Sequence, residues 1–134
     1  MKIAILTTKT THHALFVLEI KKKFDNVDFF LEKKKKFNKF KISHPIDNKI
    51  NNYEKKRCFQ KSIQFLSEFN KKKEIRNFNS DTFFKTIKKK RYDLIIVFGS
   101  GIIGSKLINL YKKRIFNLHG GDPQSYRGLD SLLW

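Results

Sequence analysis

The sequence predicts an α/β fold built on a parallel sheet. Residues 2–7 form a short apolar run of β-type residues at the start of the chain, and a helix-like segment and a second strand-like run come next. Residues 92–98 form a continuous apolar run, which a strand buried on both faces of a parallel sheet requires. Strand, loop, helix and strand in that order make the first unit of such a sheet.

The first helix is expected after a polar stretch that follows the first strand. Thr10 or Thr11 can supply the N-cap oxygen, and Leu15 and Leu18 recur at helical spacing before a run of lysines. Residues 26–32 then alternate apolar and polar side chains, which predicts a second strand.

The middle of the chain carries weaker signals. Residues 33–52 are rich in Lys and Asn and are interpreted as a loop excursion. Residues 53–70 predict a helix, because apolar side chains recur there at three- and four-residue spacing. Those side chains are Phe59, Ile63, Leu66 and Phe69. Ser80 or Asp81 is expected to cap another short helix that carries Phe83, Phe84 and Ile87.

The last third has the clearest pattern. The strand over residues 92–98 ends at Gly99, residues 102–110 predict an amphipathic helix, and residues 114–118 predict a short strand that ends at His119. Open α/β sheets bind ligands beyond the carboxyl ends of their strands. Gly99 and His119 therefore mark the expected site.

The composition indicates a single domain that spans residues 1–134, a length that allows a core. The one cysteine cannot form an internal disulfide, so a reducing, cytoplasmic compartment is expected. No apolar run approaches the roughly 20 residues that cross a bilayer. With one Cys and four dispersed His, no metal site is predicted.

The formal net charge of +18 suggests a nucleic-acid partner. Most of the 30 basic residues are Lys, however, whereas base readout and bidentate phosphate contacts favour Arg. The lysines accompany 14 Phe and many Asn and Ile, a composition typical of an AT-rich coding sequence. A solvated basic surface is the preferred interpretation, and a basic nucleic-acid-binding module is the alternative.

The most informative stretch is residues 116–130. A strand places alternate residues on one face, so Asn117 and His119 should project together with Leu118 buried behind them. An amide can donate a hydrogen bond to an oxygen that gains negative charge, and an imidazole can move a proton near neutral pH. A hydrogen-bonded loop closure with the same residues is the structural alternative.

The residues that follow form a tight loop. Gly120 and Gly121 allow the backbone to approach a ligand closely. Pro123 and Gly128 fix a non-helical path, and Arg127 offers a planar charged fork within it.

This stretch resembles the signature of the formyltransferase family, which includes methionyl-tRNA, glycinamide ribonucleotide and nucleotide-sugar formyltransferases. The family pattern is Asn-x-His, a short loop with a Pro, and then Tyr-Arg-Gly or similar. The matching residues are Asn117, His119, Pro123, Tyr126, Arg127 and Gly128. The resemblance is sharp over residues 92–134 and concerns only the order of elements over residues 1–91.

The resemblance implies that a formyl group passes from 10-formyltetrahydrofolate to a primary amine, with no metal. It implies that Asn117 holds the oxyanion of a tetrahedral intermediate and that His119 assists proton transfer. The backbone that would line the pterin pocket belongs to Phe98, Gly99, Ser100, Gly101, Ile102 and Ile103. Substrate-binding or loop roles would fall to Gly120, Gly121, Tyr126, Arg127 and Gly128. The fold it implies is a Rossmann-like, mostly parallel sheet.

Two departures from the family pattern bear on substrate and completeness. Residues 120–123 read Gly-Gly-Asp-Pro where many members have Ser-Leu-Leu-Pro, which favours an anionic amino-sugar nucleotide over glycinamide ribonucleotide or methionyl-tRNA. A tRNA partner is expected only in the last case. The family's third catalytic residue is an Asp well beyond the position of Trp134, and Asp122 and Asp130 lie too close to His119 to replace it. We therefore expect an amino-terminal part of the catalytic domain, with a sheet incomplete at its carboxyl-terminal end and little activity alone.

Three further features of the sequence each allow more than one interpretation. His12 and His13 follow the first strand, where a phosphate or an acceptor could bind, but a solvated loop or a helix start is preferred. Gly99, Gly101 and Gly104 have the spacing of a dinucleotide fingerprint, which is discounted because it follows a late strand. Cys58 is interpreted as a small core residue. A non-catalytic folate- or nucleotide-binding domain stays open beside the enzyme.

Overall fold

The computed structural model describes residues 1–33, 49, 52–53, 56–57 and 74–120. Residues 49, 52–53 and 56–57 have helical backbone. The rest of the helix expected over residues 53–70, together with Cys58, lies outside the described residues. The elements are β1 (Ile3–Thr8), α1 (Thr11–Lys23), β2 (Val27–Glu32), β3 (Glu74–Ile75), α2 (Asp81–Lys90), β4 (Leu94–Phe98), α3 (Ser105–Leu110) and β5 (Ile115–Leu118).

The strands form one five-stranded sheet in the order β3-β2-β1-β4-β5, and every pairing is parallel. The predicted Rossmann-like α/β class is therefore confirmed. The chain extends the sheet from β1 through β2 to β3 on one side and then returns to place β4 and β5 on the other. The direction of winding thus reverses between β1 and β4, and such a reversal opens a crevice at the carboxyl edge of a parallel sheet.

The strand β1 lies at the centre of the sheet, and all six of its residues are buried. One side of the sheet packs against α1, whose Ala14 and Val17 meet Ile5 and Phe29. The other side packs against α2 and α3. The main contacts there come from Phe83, Ile87, Leu107, Leu6, Ile95 and Val97. Burial of apolar side chains on both faces explains why β1 and β4 read as continuous apolar runs.

Two predicted helix caps are confirmed. The Thr10 hydroxyl accepts from the backbone N–H of His13 at 3.2 Å, and the Ser80 hydroxyl accepts from that of Phe83 at 3.3 Å. Each bond satisfies an amide that the first turn of a helix leaves without a partner.

Two expectations near the carboxyl edge are wrong. The helix expected to start at residue 102 begins at Ser105, because residues 99–104 are held as a loop by side chains from other elements. Leu118 is 45% exposed instead of buried. It pairs in register with Phe98, on the side of the sheet that carries α1, and it belongs to β5, an edge strand of the described sheet.

A buried tyrosine ties the amino edge of the sheet together. The hydroxyl of Tyr92 donates to the carboxylate of Asp28, which also accepts from Lys90 Nζ at 2.9 Å. Partial burial raises the pKa of Asp28, but these hydrogen bonds and the Lys90 charge outweigh it, so that pKa lies below its ordinary value. Burial and the bond to Asp28 raise the pKa of Tyr92.

Candidate functional site

The carboxyl ends of β1, β4 and β5 lie side by side. Phe98 pairs with Thr7 on one side and with Leu118 on the other, so the following residues, Gly99 and His119, leave neighbouring strands at the same level. The hydroxyl of Thr7 donates to the Phe98 carbonyl at 2.7 Å. The Thr7 side chain thus joins β1 and β4, the strands on either side of the reversal in winding, at the point where the backbone hydrogen bonds between them end.

The two candidate catalytic residues both belong to the end of β5. Asn117 is the third residue of that strand and lies opposite Val97, whereas His119 follows the last residue. Asn117 alternates with Leu118 along β5, so these two side chains lie on opposite faces of the strand. Asn117 is exposed and His119 is half-buried. An accessible amide and an imidazole two residues away are thus located at the carboxyl edge of the sheet, the edge at which open α/β sheets generally bind ligands.

The loop over residues 99–104 starts with a glycine that no other residue can replace without strain. Gly99 has a φ of 66°, in the left-handed region that disfavours side chains. The imidazole of His13 fills the adjacent space, and a Cβ on Gly99 would lie 2.3 Å from its Cε1 and Nε2. The first loop residue therefore has its shape because the first turn of α1 packs against it.

The imidazole of His13 is itself fixed. Its Nδ1 lies 2.9 Å from Thr8 Oγ1 and 3.1 Å from the Thr8 carbonyl oxygen. A carbonyl oxygen can only accept, so we assign the proton to Nδ1, and in the neutral ring Nε2 is then the acceptor. The Thr8 hydroxyl donates onward to the Gly99 carbonyl at 3.1 Å. The ring edge also packs on Phe98 at a centroid distance of 4.6 Å.

The interpretation of His12 and His13 as a helix start is confirmed, because both lie in the first turn of α1. His12 is exposed, but His13 is half-buried between β1 and β4. A solvated position is thus wrong for His13. Packing decides the difference, since consecutive helical side chains point about 100° apart and only one of the two faces the sheet edge.

Two polar side chains hold the rest of the loop. Glu32, the last residue of β2, accepts from the Gly101 N–H at 2.7 Å and from the Phe78 N–H at 3.4 Å. Asn79 accepts from the Gly104 N–H at 2.6 Å and donates to the Ile102 carbonyl at 2.8 Å. The loop is therefore anchored to β2 and to the turn before α2.

A small cavity borders this loop. It measures about 170 Å³, and its lining includes Phe78, Asn79, Phe84, Gly104 and Leu107. It combines aromatic walls with the polar end of Asn79. Among the described residues, no group of three or more His, Cys, Asp or Glu side chains is arranged to hold a metal ion, and no helix is long and apolar enough to span a bilayer.

The structure brings together only part of the predicted site. Phe98, Gly99, Ser100, Gly101, Ile102 and Ile103 lie at the end of β4 and in the loop after it, while Asn117, His119 and Gly120 lie at the end of β5. Gly121, Tyr126, Arg127 and Gly128 lie outside the described residues.

Sequence reasoning missed Thr7, Thr8, Glu32 and Asn79. Their positions in the sequence offered a partial signal. Glu32 is the last residue of the predicted second strand, and Thr8 directly follows the predicted first strand. Residues at the carboxyl ends of parallel strands lie at the edge where such sheets bind ligands. Asn79 had no comparable signal, since only the packing of the turn before α2 against the loop places it there.

Comparison with known proteins adds one solved structure. No family model matches the sequence, and no curated protein matches it either. The crystal structure of glycinamide ribonucleotide transformylase 1 from Geobacillus kaustophilus is similar in chain path, with a TM-score of 0.48 and 17% sequence identity. The alignment covers 98% of this chain and 64% of that one, so the present chain spans 64% of the length of that protein.

Proposed function

We propose that residues 1–134 form the amino-terminal part of the catalytic domain of a cytoplasmic formyltransferase. The observation that carries the proposal is the position of Asn117 and His119. Asn117 is the third residue of β5 and His119 follows its last residue, beside the anchored loop at the end of β4 and one strand away from the reversal of winding between β1 and β4. The Asn-x-His motif in the sequence thus coincides with the place where a parallel sheet binds its ligands.

The proposed reaction moves a formyl group from 10-formyltetrahydrofolate to a primary amine. The amine nitrogen attacks the formyl carbon, and the carbonyl oxygen becomes an oxyanion to which the Asn117 amide donates a hydrogen bond. The His119 imidazole takes a proton from the attacking nitrogen. The oxyanion then reforms the carbonyl as the bond from the formyl carbon to the folate nitrogen breaks, and the His119 imidazolium returns its proton to that nitrogen, which leaves as a neutral secondary amine.

The donor would bind along the loop after β4. The Gly99 carbonyl and the Gly101 N–H are bound by Thr8 and Glu32, so the remaining backbone groups of Gly99, Ser100 and Gly101 would serve the edge of a pterin ring, which carries both donors and acceptors. Ile102 is 90% exposed and would supply an apolar contact. The neighbouring residues Phe98 and Ile103 complete this proposed donor pocket.

The acceptor we favour is an anionic amino-sugar nucleotide. This choice rests on the Gly-Gly-Asp-Pro sequence of residues 120–123, which differs from the loop of many relatives that act on methionyl-tRNA or on glycinamide ribonucleotide. The net charge of +18 would attract such a substrate by long-range steering.

The test is binding and transfer with defined compounds. Calorimetry with 10-formyltetrahydrofolate should give saturable binding to the 134-residue chain. Formyl transfer should be assayed on this chain and on the product of the full coding frame that contains it, with amino-sugar nucleotides, glycinamide ribonucleotide and methionyl-tRNA as acceptors. Absence of folate binding contradicts the proposal. Binding without transfer by either product supports a non-catalytic folate-binding domain instead.

A second function is favoured by the distribution of basic residues. The helices α1 and α2 end in lysines 21–23 and 88–90, and Lys112, Lys113 and Arg114 precede β5. In a parallel sheet these positions meet at the amino edge, where Lys2 Nζ donates to the Lys90 carbonyl and Ile95 N–H donates to the Arg114 carbonyl. The basic face lies opposite the candidate site.

Such a face suits a nucleic-acid-binding module. Helix C-termini also attract cations by themselves, however, through the helix dipole. The test is titration with single-stranded and duplex RNA between 50 mM and 200 mM salt, roughly the range over which phosphate contacts lose most of their affinity. A steep fall in affinity, lessened by K88Q/K89Q, supports this function, and no binding at the lower salt rejects it.

A further inference from the structure

The loop over residues 99–104 is exposed but densely anchored. Gly99, Gly101 and Ile102 are all solvent-exposed, and exposed loops usually satisfy their backbone groups with water. Here the carbonyl groups of Gly99 and Ile102 and the N–H groups of Gly101 and Gly104 each bond to a side chain from another element. The sequence of the loop alone does not set its shape.

The anchors also explain the glycines. A Cβ on Gly101 would lie 3.1 Å from Glu32 Oε2, and a Cβ on Gly104 would lie 2.9 Å from Asn79 Oδ1. The carboxylate and the amide thus approach the backbone where side chains are absent. A polar side chain that approaches a glycine closely can hold a loop in place without covering the outer surface of that loop.

The outer surface of the same loop displays an apolar group. Ile102 is 90% exposed although its own carbonyl is bound by Asn79. An isoleucine held in water by a fixed backbone loses apolar burial, and a ligand that lies on it would restore that burial. The loop therefore has a fixed inner side and an apolar outer side.

We propose that Glu32 and Asn79 are positioning residues that hold residues 99–104 in the shape that binds the pterin ring of a formyl-folate. This inference rests on the proposed function. Glu32 fixes the position of the Gly101 N–H relative to the end of β2. Asn79 fixes both ends of the segment from Ile102 to Gly104. Neither side chain needs to touch the folate, because each acts through the backbone that does.

The experiment compares paired variants of the 134-residue chain. Glu32→Ala and Asn79→Ala remove the anchors, whereas Glu32→Gln keeps an acceptor for the Gly101 N–H. Each Ala variant should weaken calorimetric binding of 10-formyltetrahydrofolate about tenfold, the effect of losing roughly one well-formed hydrogen bond, and Glu32→Gln should recover most of the affinity that Glu32→Ala loses. All measurements are made at a temperature where each variant is fully folded.

Two controls match these changes in charge and in size. Glu19→Gln removes a carboxylate whose ion pair with Lys22 lies on the exposed side of α1, and Asn109→Ala removes an exposed amide from α3. Both should bind folate like the unchanged chain. Amide hydrogen exchange at Gly101 and Gly104 should accelerate in the Ala variants and stay slow in the controls.

The outcomes separate the inference from the function. Folate binding that the Ala variants leave unchanged overturns the inference and leaves the proposed function intact. Absence of binding by the unchanged chain overturns both. Weaker binding in Glu32→Ala that Glu32→Gln does not recover also counts against it, because a lost acceptor is then not the cause.

Discussion

The imidazole of His13 occupies the space where a side chain on residue 99 would lie. A Cβ on Gly99 would come 2.3 Å from two ring atoms of His13, and the backbone at Gly99 has a φ of 66°. Two separate effects therefore require glycine at this position. One is local strain in the backbone, and the other is the packing of α1 against the end of β4.

Gly99→Ala should lower the free energy of unfolding by about 2–4 kcal/mol, from left-handed strain of about 1–2 kcal/mol and a similar contribution from the clash. Adding His13→Ala should abolish the clash and leave the strain. A double-mutant cycle by urea unfolding separates the two contributions. If the two substitutions are additive within about 0.5 kcal/mol, the contact between them has no energetic role.

The network around Asp28 predicts how stability depends on acid. The pKa of Asp28 is lowered in the folded chain, so its contribution is present above the unfolded pKa of about 3.9 and is lost as pH falls through and below that value. Asp28→Asn should therefore flatten the acid limb of a plot of unfolding free energy against pH. Urea unfolding of both chains across the acid range measures this, and an acid limb that the substitution leaves unchanged would contradict the prediction.

Tyr92 predicts the opposite dependence at high pH. Its pKa is raised in the folded chain, so its contribution is complete below the unfolded pKa of about 10 and is lost as pH rises beyond it. Tyr92→Phe should flatten this alkaline limb and lower stability at neutral pH by about 1.5–3 kcal/mol, the range for a hydrogen bond to a charged group. Urea unfolding at pH 7 and pH 10.5 measures both the loss of stability and the change in the alkaline limb. An alkaline limb that Tyr92→Phe leaves unchanged would contradict the role given to the Tyr92 hydroxyl.

The cap of α2 gives a prediction about a single hydroxyl. Ser80→Ala should lower the free energy of unfolding by about 1 kcal/mol, because the Phe83 N–H loses its acceptor. Ser80→Asp keeps an acceptor and places a negative charge at a helix N-terminus, so it should restore the loss. Thermal unfolding of the three chains checks this order. Equal midpoints for all three would show that the cap does not stabilise the fold.

The proposed chemistry gives a prediction about Asn117 and His119. In a product that catalyses formyl transfer, Asn117→Ala should lower kcat about 100-fold or more by removing an oxyanion donor. His119→Ala should lower kcat by at least about 100-fold by removing proton transfer. KM for the folate should change little in either, whereas Glu32→Ala should raise it. If Asn117→Ala changes only KM, then Asn117 does not stabilise the transition state.

Much of the fold could be predicted from local patterns. The apolar run over residues 92–98, the alternation over residues 26–32 and the cap at Ser80 each depend on neighbouring residues, and each matches the structure to within a residue or two. Glu74 and Ile75 were not predicted as a strand, because two residues are too short to show a period. Leu118 was expected to be buried, but burial depends on what packs over a strand from elsewhere in the chain.

The sequence by itself determined the order of the described strands and helices other than β3, the parallel α/β class and the two residues, Asn117 and His119, that carry the formyltransferase resemblance. Only the tertiary structure decided that Glu32 and Asn79 hold the loop after β4 and that His13 faces Gly99. The reason is physical. Periodicity and capping act over a few residues along the chain, whereas these contacts join residues 69, 25 and 86 positions apart, which only the winding of the sheet brings together.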